Sequence, residues 1–306
     1  MKELGKNSQG HREPLAFAKM AGGGNDFVMI DNRSGRVAHA ADLTRRICTR
    51  RLSVGADGLI LVEASDRATF RMIYFNSDGS RADFCANGTR CSARFAFINA
   101  IAPQRMTIDT DAGIIGAEVD GEGLVTLALP SPRAFRPQRP LDVNGTTVRG
   151  SSILAGVPHY VIVVTDDLWS RDIVTLGRAV RHHGDLRPDG ANVNFVRVPG
   201  PHEIEVRTYE RGVEAETLSC GSGVVASVSV SALFDHVKSP VSVLTRSGIR
   251  FQVSFTRAED EIRDLRLTGD ARLVYRSTLT PETLEGFDPE FVRDPAGADA
   301  RVPAGE

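Results

Sequence analysis

Two of the four cysteines carry the strongest chemical signal in the chain. The four stand at 48, 85, 91 and 220, and Cys85 and Cys220 occupy matching contexts. Each is followed by a turn containing Gly, then by a run with helical spacing: 92–98 (SARFAFI) after Cys85 and 224–234 after Cys220. A lone free cysteine reads as a small inert hydrophobe. A thiol at a helix N-terminus reads differently, because unpaired N–H groups and the macrodipole favour an anion there and lower the thiol pKa. The same N–H groups can bind a carboxylate. Two such thiols facing one cleft suit inversion of a carbon acid. One thiolate removes a proton from one face, one thiol delivers a proton to the other, and the pair exchanges roles with direction. Cys91 has no counterpart, since Ala226 stands at the matching position, and Cys48 has none either; both read as packing residues.

The cysteines sit inside a longer repeat. Gly55 and Ala56 match Gly190 and Ala191, Tyr74 matches Tyr209, Gly88 matches Gly223, and Ser92 matches Ser227. Thr110, Gly113 and Ile114 match Thr245, Gly248 and Ile249, and Val28 and Asp31 match Val163 and Asp166. The separation in every pair equals that between Cys85 and Cys220, without a gap. A period of nearly half the chain is too long for a solenoid and reads as two copies of one domain facing each other. In the first copy 70–75 (FRMIYF) is a strand, and 106–110, 114–119 and 124–129 are short strands split by Gly turns. The second copy repeats the order with strands at 204–209, 241–245 and 249–255. The expected fold is α/β with an α+β character: two pseudo-symmetric domains, each a mainly antiparallel sheet wrapped around a central helix. The expected domains are 15–131 and 132–263, with a strand at 264–275 that could return to the first domain. Segments 1–14 and 286–306 have the composition of disordered tails.

The remaining composition narrows the class. The chain has 306 residues, enough for two domains. Net charge is −2, from 37 basic and 39 acidic residues, so no field drives nucleic-acid binding. Four cysteines in this length are no disulfide scaffold, and neither a secretory signal nor an apolar run of membrane length is visible, so a cytoplasmic setting is expected. No Cys/His cluster has zinc spacing. The glycines at 22–24 lack the spacing of a dinucleotide or phosphate loop, and none of the four lysines stands out as a Schiff base. The expectation is an enzyme without cofactor or metal, acting on a small carbon acid, with no nucleic-acid or membrane partner.

Seven segments, in order, resemble the motifs of diaminopimelate epimerases. They are 19–27 (KMAGGGNDF), 75–79 (FNSDG), 85–91 (CANGTRC), 156–160 (GVPHY), 190–194 (GANVN), 209–212 (YERG) and 216–223 (ETLSCGSG). The resemblance spans roughly 15–280 and implies a cofactor-independent epimerase that inverts one α-carbon of LL-diaminopimelate to give the meso form. It also implies the step's place in lysine and peptidoglycan synthesis, two similar domains with the site between them, and commonly a homodimer. It makes Cys85 and Cys220 the acid/base pair, with His159 and Glu210 supporting the thiols. It places Asn25, Asn76, Asn192, Glu210 and Arg211 against the substrate, with Ala86, Asn87 and Gly88 after the first thiol and Gly221 and Ser222 after the second offering N–H groups to a carboxylate. Three positions depart from the family pattern. Ala21 replaces a common His, Ala86 a common Gly and Val157 a common Asn at a substrate-contacting position. Val157 leaves a racemase of another amino acid as the alternative substrate reading. A thiol redox protein is a further alternative from another class, although no CxxC motif is present.

Overall fold

The computed structural model describes residues 14–287. The expected tails at 1–14 and 286–306 therefore lie almost wholly outside the described residues. The first half of the chain runs β1 (Leu15–Gly22), β2 (Asn25–Asp31), α1 (Ala40–Ile47), β3 (Gly58–Glu63), β4 (Phe70–Asn76), β5 (Arg81–Ala82), α2 (Ala86–Ile98), β6 (Arg105–Thr110), β7 (Gly113–Val119) and β8 (Val125–Ala128). The second half runs β9 (Arg133–Val143), β10 (Thr146–Ala155), β11 (Val157–Val163), α3 (Ile173–Arg181), β12 (Asn192–Gly200), β13 (Glu203–Glu210), β14 (Ala215–Thr217), α4 (Gly221–Leu233), β15 (Val241–Thr245), β16 (Arg250–Ala258) and β17 (Glu261–Gly269). A last strand, β18 (Arg272–Leu279), pairs with β1.

Strand pairing is nearly the same in the two halves. In the first the order is β18-β1-β2-β3-β4-β6-β7-β8, and in the second β9-β10-β11-β12-β13-β15-β16-β17. Pairs β2–β3 and β4–β6 are parallel, as are β11–β12 and β13–β15. The other pairs are antiparallel. Each parallel pair is bridged by a helix, because parallel neighbours need a long crossover. The halves join edge to edge through β8–β17, where Thr126 and Thr268 hydroxyls lie 2.7 Å apart.

Each half wraps its sheet around one helix and packs a second helix outside. Along β3 the side chains alternate: Ile60 and Val62 face the α2 core, while Leu59 and Leu61 pack with Ile47 of α1. Both faces are covered, so the strand reads as a continuous apolar run. Helix α4 (GSGVVASVSVSAL) is buried on nearly all sides, and its sequence of small residues, Val and Ala interleaved with Ser, has no charged face to turn to solvent. Outside the second sheet, α3 packs on Tyr160, Val193, Phe195 and Tyr209.

Three expectations need correction. The helices begin immediately after the cysteines, at Ala86 and Gly221, so the residues read as turns form the first helical turn. The returning strand is Arg272–Leu279; 264–275 straddles it and β17, which pairs with β16 and β8. The repeat also carries gaps. The separation of the two cysteines holds from β5 and β14 through the helices to β6 and β15, shrinks in the strands before them and grows in those after. Leu59 pairs with Phe75 where Val193 pairs with Tyr209, so Ile60 corresponds to Asn194 and Tyr74 to Thr208. Across β2 and β11 the separation shrinks further, making Phe27 and His159 equivalent. Tyr74 and Tyr209 therefore face opposite sides of their sheets, since one residue of slip reverses every side chain.

One equivalence hidden in the cysteine spacing is electrostatic. Arg81 pairs with Asp111 at 2.5 Å, and Glu216 pairs with Arg246 at 2.5 Å at the corresponding positions with the charges exchanged. Buried Arg207 grips Glu216 from the other side at 2.7 Å, fixing the segment that leads into Cys220.

Close packing of α3 on β13 gives a stability test. A Cβ placed on Gly177 would stand 2.6 Å from Tyr209 Cβ and 2.9 Å from its Cγ, and Tyr209 is fully buried. Alanine gains about 1 kcal/mol of helix propensity, but overpacking costs about 1–3 kcal/mol. Gly177→Ala is expected to lower the urea midpoint; a raised midpoint would show that α3 moves away freely.

Candidate active site

Cys85 and Cys220 are the N-cap residues of α2 and α4, both with extended backbone (φ −145° and −121°, ψ 112° in each). The helices point their N-termini at each other. A Cβ built on Gly221 would lie 2.8 Å from Ala86 Cβ and 3.8 Å from Asn87 Oδ1. Ala86 lies within the helix, with no positive φ, so its methyl carries no backbone strain and its N–H remains available. The first N–H groups of both helices, at Ala86, Asn87, Gly221 and Ser222, have no intrahelical acceptor. All four cysteines are free thiols.

The thiols have different surroundings. Gly88 N–H donates to Cys85 Sγ at 3.4 Å, and Cys220 Sγ lies 3.4 Å from Ser222 Oγ. Against the expected lowering, burial outweighs the helix N-terminus and pushes the Cys85 thiol up to about 11, with the Gly88 N–H pulling it back and the Glu210 charge raising it further. Burial and then Glu210 push Cys220 higher still. Burial in turn raises the Glu210 carboxyl, while the Thr217 hydroxyl and Cys220 thiol that face it lower it. Glu210 ends β13 and by strand register takes the place that Asn76 takes at the end of β4.

Below the helix starts the halves diverge again. Gly88 packs on Ile60 and Met72, and Phe27 meets Tyr74 edge-on at 5.9 Å. Gly223 instead packs on Asn194 and Thr208. Thr208 Oγ1 donates to Asn194 Oδ1 at 3.0 Å, and Asn194 Nδ2 lies 3.0 Å from His159 Nδ1. His159 is buried, its Nε2 has no protein partner, and burial followed by the Arg211 charge lowers its imidazole to about 3. It is neutral near pH 7.

The other expected site residues fall as follows. Asn87 is buried and donates to Asn25 Oδ1 at 2.8 Å, bringing these two amides together. Asn192 is buried beside its β11 neighbour His159, and its Oδ1 accepts from Arg211 N–H at 2.7 Å. Asn76 is half-buried and its Nδ2 donates to Ser80 Oγ at 3.1 Å, as an ordinary turn would have it. Val157 is half-buried and opens β11 directly after Gly156. Sequence reasoning missed Asp57, Arg90, Asn194, Thr208 and Ser219. Only Arg90 left a trace, as one of two charges in α2, the other being Arg94.

The family model described as diaminopimelate epimerase matches residues 17–132 and 151–274. The chain belongs to the diaminopimelate epimerase family. Family membership makes it an isomerase. It is 40% identical over 282 residues to diaminopimelate epimerase of Aquifex aeolicus, covering 89% of this chain and all of that one. It is 41% identical over 264 residues to that of Chlorobaculum tepidum, covering 85% of this chain and all of that one. Among solved structures, a Bacillus anthracis phenazine biosynthesis protein of the PhzF family superposes with TM-score 0.66 at 14% identity, over 88% of this chain and 99% of that one. A hydroxyproline epimerase from Agrobacterium vitis gives 0.64 at 15%, over 88% and 94%. These two share the fold of two pseudo-symmetric domains.

Among the described residues no helix is long and apolar enough to cross a membrane. The same residues contain no His/Cys/Asp/Glu cluster suited to a metal ion.

Contact between the helix starts predicts an epistatic pair. Gly221→Ala drives two methyl groups together and is expected to lower kcat/KM by about tenfold or more, since small misplacements of reacting groups cost that much. Adding Ala86→Gly removes the clash and is expected to restore most of the loss. A double variant no better than Gly221→Ala would show that the contact does not set the helix spacing.

Proposed function

We propose that this protein interconverts LL- and meso-diaminopimelate by direct proton transfer between the α-carbon and two cysteines, without a cofactor. The observation that carries this reading is the opposition of two N-cap thiols on helices whose first residues touch. A substrate α-carbon between Cys85 and Cys220 would present one face to each sulfur. One thiolate takes the α-proton and becomes a thiol, leaving the electron pair on carbon, conjugated with the carboxylate. The opposite thiol returns a proton to the other face and becomes the thiolate. Protons and charge balance, and the reverse turnover restores the starting pair.

The same helix starts supply the electrostatics. Charge building on the substrate carboxylate as the α-proton leaves meets the free N–H groups of Ala86, Asn87, Gly221 and Ser222 and the positive ends of two dipoles. Glu210 holds a carboxyl against Cys220, in position to take the thiol proton. His159, neutral and with Nε2 unspent, serves as a hydrogen-bonding group rather than a cation. Asn25, Asn192 and Arg211 line the substrate side in this reading. Val157 offers no hydrogen bond where many relatives carry an amide, so the panel that tests the substrate includes simple amino acids.

Solvent deuterium appearing at Cα of LL-diaminopimelate, followed by NMR, is the expected result; exchange only with another amino acid would leave the two-thiol chemistry and overturn the substrate. Cys85→Ala and Cys220→Ala are each expected to abolish epimerisation, whereas Cys48→Ala and Cys91→Ala, at buried packing sites, retain much of it. Wild-type turnover by either of the first two would defeat the mechanism. Because the Cys85 pKa lies near 11, alkylation of Cys85 in the free protein should rise about tenfold per pH unit from 7 to 9. A plateau near about 8.5 would mean an unperturbed thiol.

A further inference from the structure

We propose that Arg90 and Asp57, which do not touch, act together as positioning residues that fix the donor and acceptor sense of the Asn87 and Asn25 amides at the site. Arg90 is fully buried, and every hydrogen bond it donates goes to a neutral acceptor. Its Nη2 donates to Asn87 Oδ1 at 2.6 Å, its Nη1 to Ala86 O at 3.4 Å and its Nε to Asp270 O at 3.2 Å, while its guanidinium stacks over Phe251 at 4.9 Å. A guanidinium donates and cannot accept. It therefore holds the carbonyl end of Asn87 toward itself and turns the NH2 end outward.

From there the sense passes along a chain. Asn87 Nδ2 donates to Asn25 Oδ1 at 2.8 Å and to Ser219 Oγ at 3.3 Å. The Ser219 hydroxyl spends its own proton on Gly23 O, so toward Asn87 it accepts. Asn25 Nδ2 then donates to Asp57 Oδ2 at 2.9 Å. An ionised carboxylate accepts and cannot donate. A donor-only group thus closes one end and an acceptor-only group the other, and both amides between them have one allowed orientation. The hairpin backbone holds the Asn87 plane as well. Gly23, at φ +62°, leaves no room for a Cβ, which would fall 2.6–2.9 Å from the Asn87 amide atoms.

The consequence concerns what the site recognises. With Oδ1 turned to Asn87 and one N–H spent on Asp57, half-buried Asn25 has its second N–H left to offer. That group suits a carboxylate and repels an ammonium. This step rests on the proposed amino-acid substrate; the locked chain itself does not.

Two closed ends predict non-additivity. Arg90→Gln and Asp57→Asn each open one end to an amide that can donate or accept, while the other end still dictates the sense. Each alone is expected to lower kcat/KM for LL-diaminopimelate by less than about fivefold, and the double variant by about tenfold more than the product of the two. Arg90→Lys with Asp57→Asn keeps a donor-only end and is expected to show no such excess. Side-chain amide resonances of Asn25 and Asn87 in 15N–1H spectra give a readout free of substrate and of turnover: one set in the wild type and single variants, two in the Arg90→Gln/Asp57→Asn double. Melting curves identify any variant that fails to fold, in which case the Arg90→Lys series and the wild-type amide spectrum decide. Additive kinetics with a single set of resonances in the double variant would overturn the lock. A wild type inactive on diaminopimelate, with doubled resonances in the double variant, would overturn the substrate reading and leave the lock standing.

Discussion

The contact between Ala86 and Gly221, where two helix N-termini meet inside two sheets, is the constraint on which the rest of the structure depends. A helix can aim its N-terminus at the middle of a protein only if its flanks are covered there, since most helical stability comes from packing. Each half meets this by curling eight strands around one helix. The crossovers that carry α2 and α4 require the parallel pairs β4–β6 and β13–β15, and the remaining strands are free to pair antiparallel. The contact also explains a departure from the family pattern. Ala86 is accommodated because its opposite number is Gly221, and one methyl fits between the helices where two would not.

The symmetry of the scaffold is broken in the layer beneath the helix starts. Under Cys85 lie Phe27, Ile60 and Tyr74; at the matching places under Cys220 lie His159, Asn194 and Thr208. Asn76 is matched by Glu210. The two-thiol inversion proposed above would need equivalent positions for two sulfurs, which the repeat supplies. Everything else on the substrate differs from side to side, and an asymmetric lining answers that. The lining also separates the thiols chemically. The Glu210 charge raises both, second only to burial at Cys220 and behind the Gly88 N–H at Cys85.

Much of this is legible in the sequence, for definable reasons. Cysteine and glycine mark positions where chemistry or backbone geometry restricts the choice of residue, so the repeat shows itself at Cys85/Cys220 and Gly88/Gly223. The helices themselves have equal length, which keeps that spacing constant. Strand correspondence is hidden because the connections that follow β11 and β13 differ in length from their counterparts after β2 and β4, and a gapless comparison cannot register such a difference. Tyr74 and Tyr209 share an identity and nothing else. The strands β1, β9 and β10 lie outside the matched segments of the repeat, and the matches at Val28 and Asp31 in β2 are out of register. Ala86 and Asn87 read as a turn because CANG carries turn residues. At a helix start those same types serve as caps and close-packing residues, and the buried flanks decide the outcome.

Arg90 shows why a motif resemblance and a physical reading differ in reach. Resemblance draws attention to 85–91 as a unit and assigns roles to the thiol and the residues just after it. It says nothing of the arginine, whose side chain runs back along α2 toward the N-terminus, as long helical side chains do. Burying a guanidinium without a carboxylate costs several kcal/mol, and a neutral residue of similar shape would avoid that cost. What a neutral amide cannot supply is a fixed hydrogen-bond sense. The amides of Asn25 and Asn87 are nearly symmetric in shape and would fit either way round. Direction therefore has to come from groups that are not symmetric, one able only to give a proton and one able only to receive it, and the fold places one at each end of the chain.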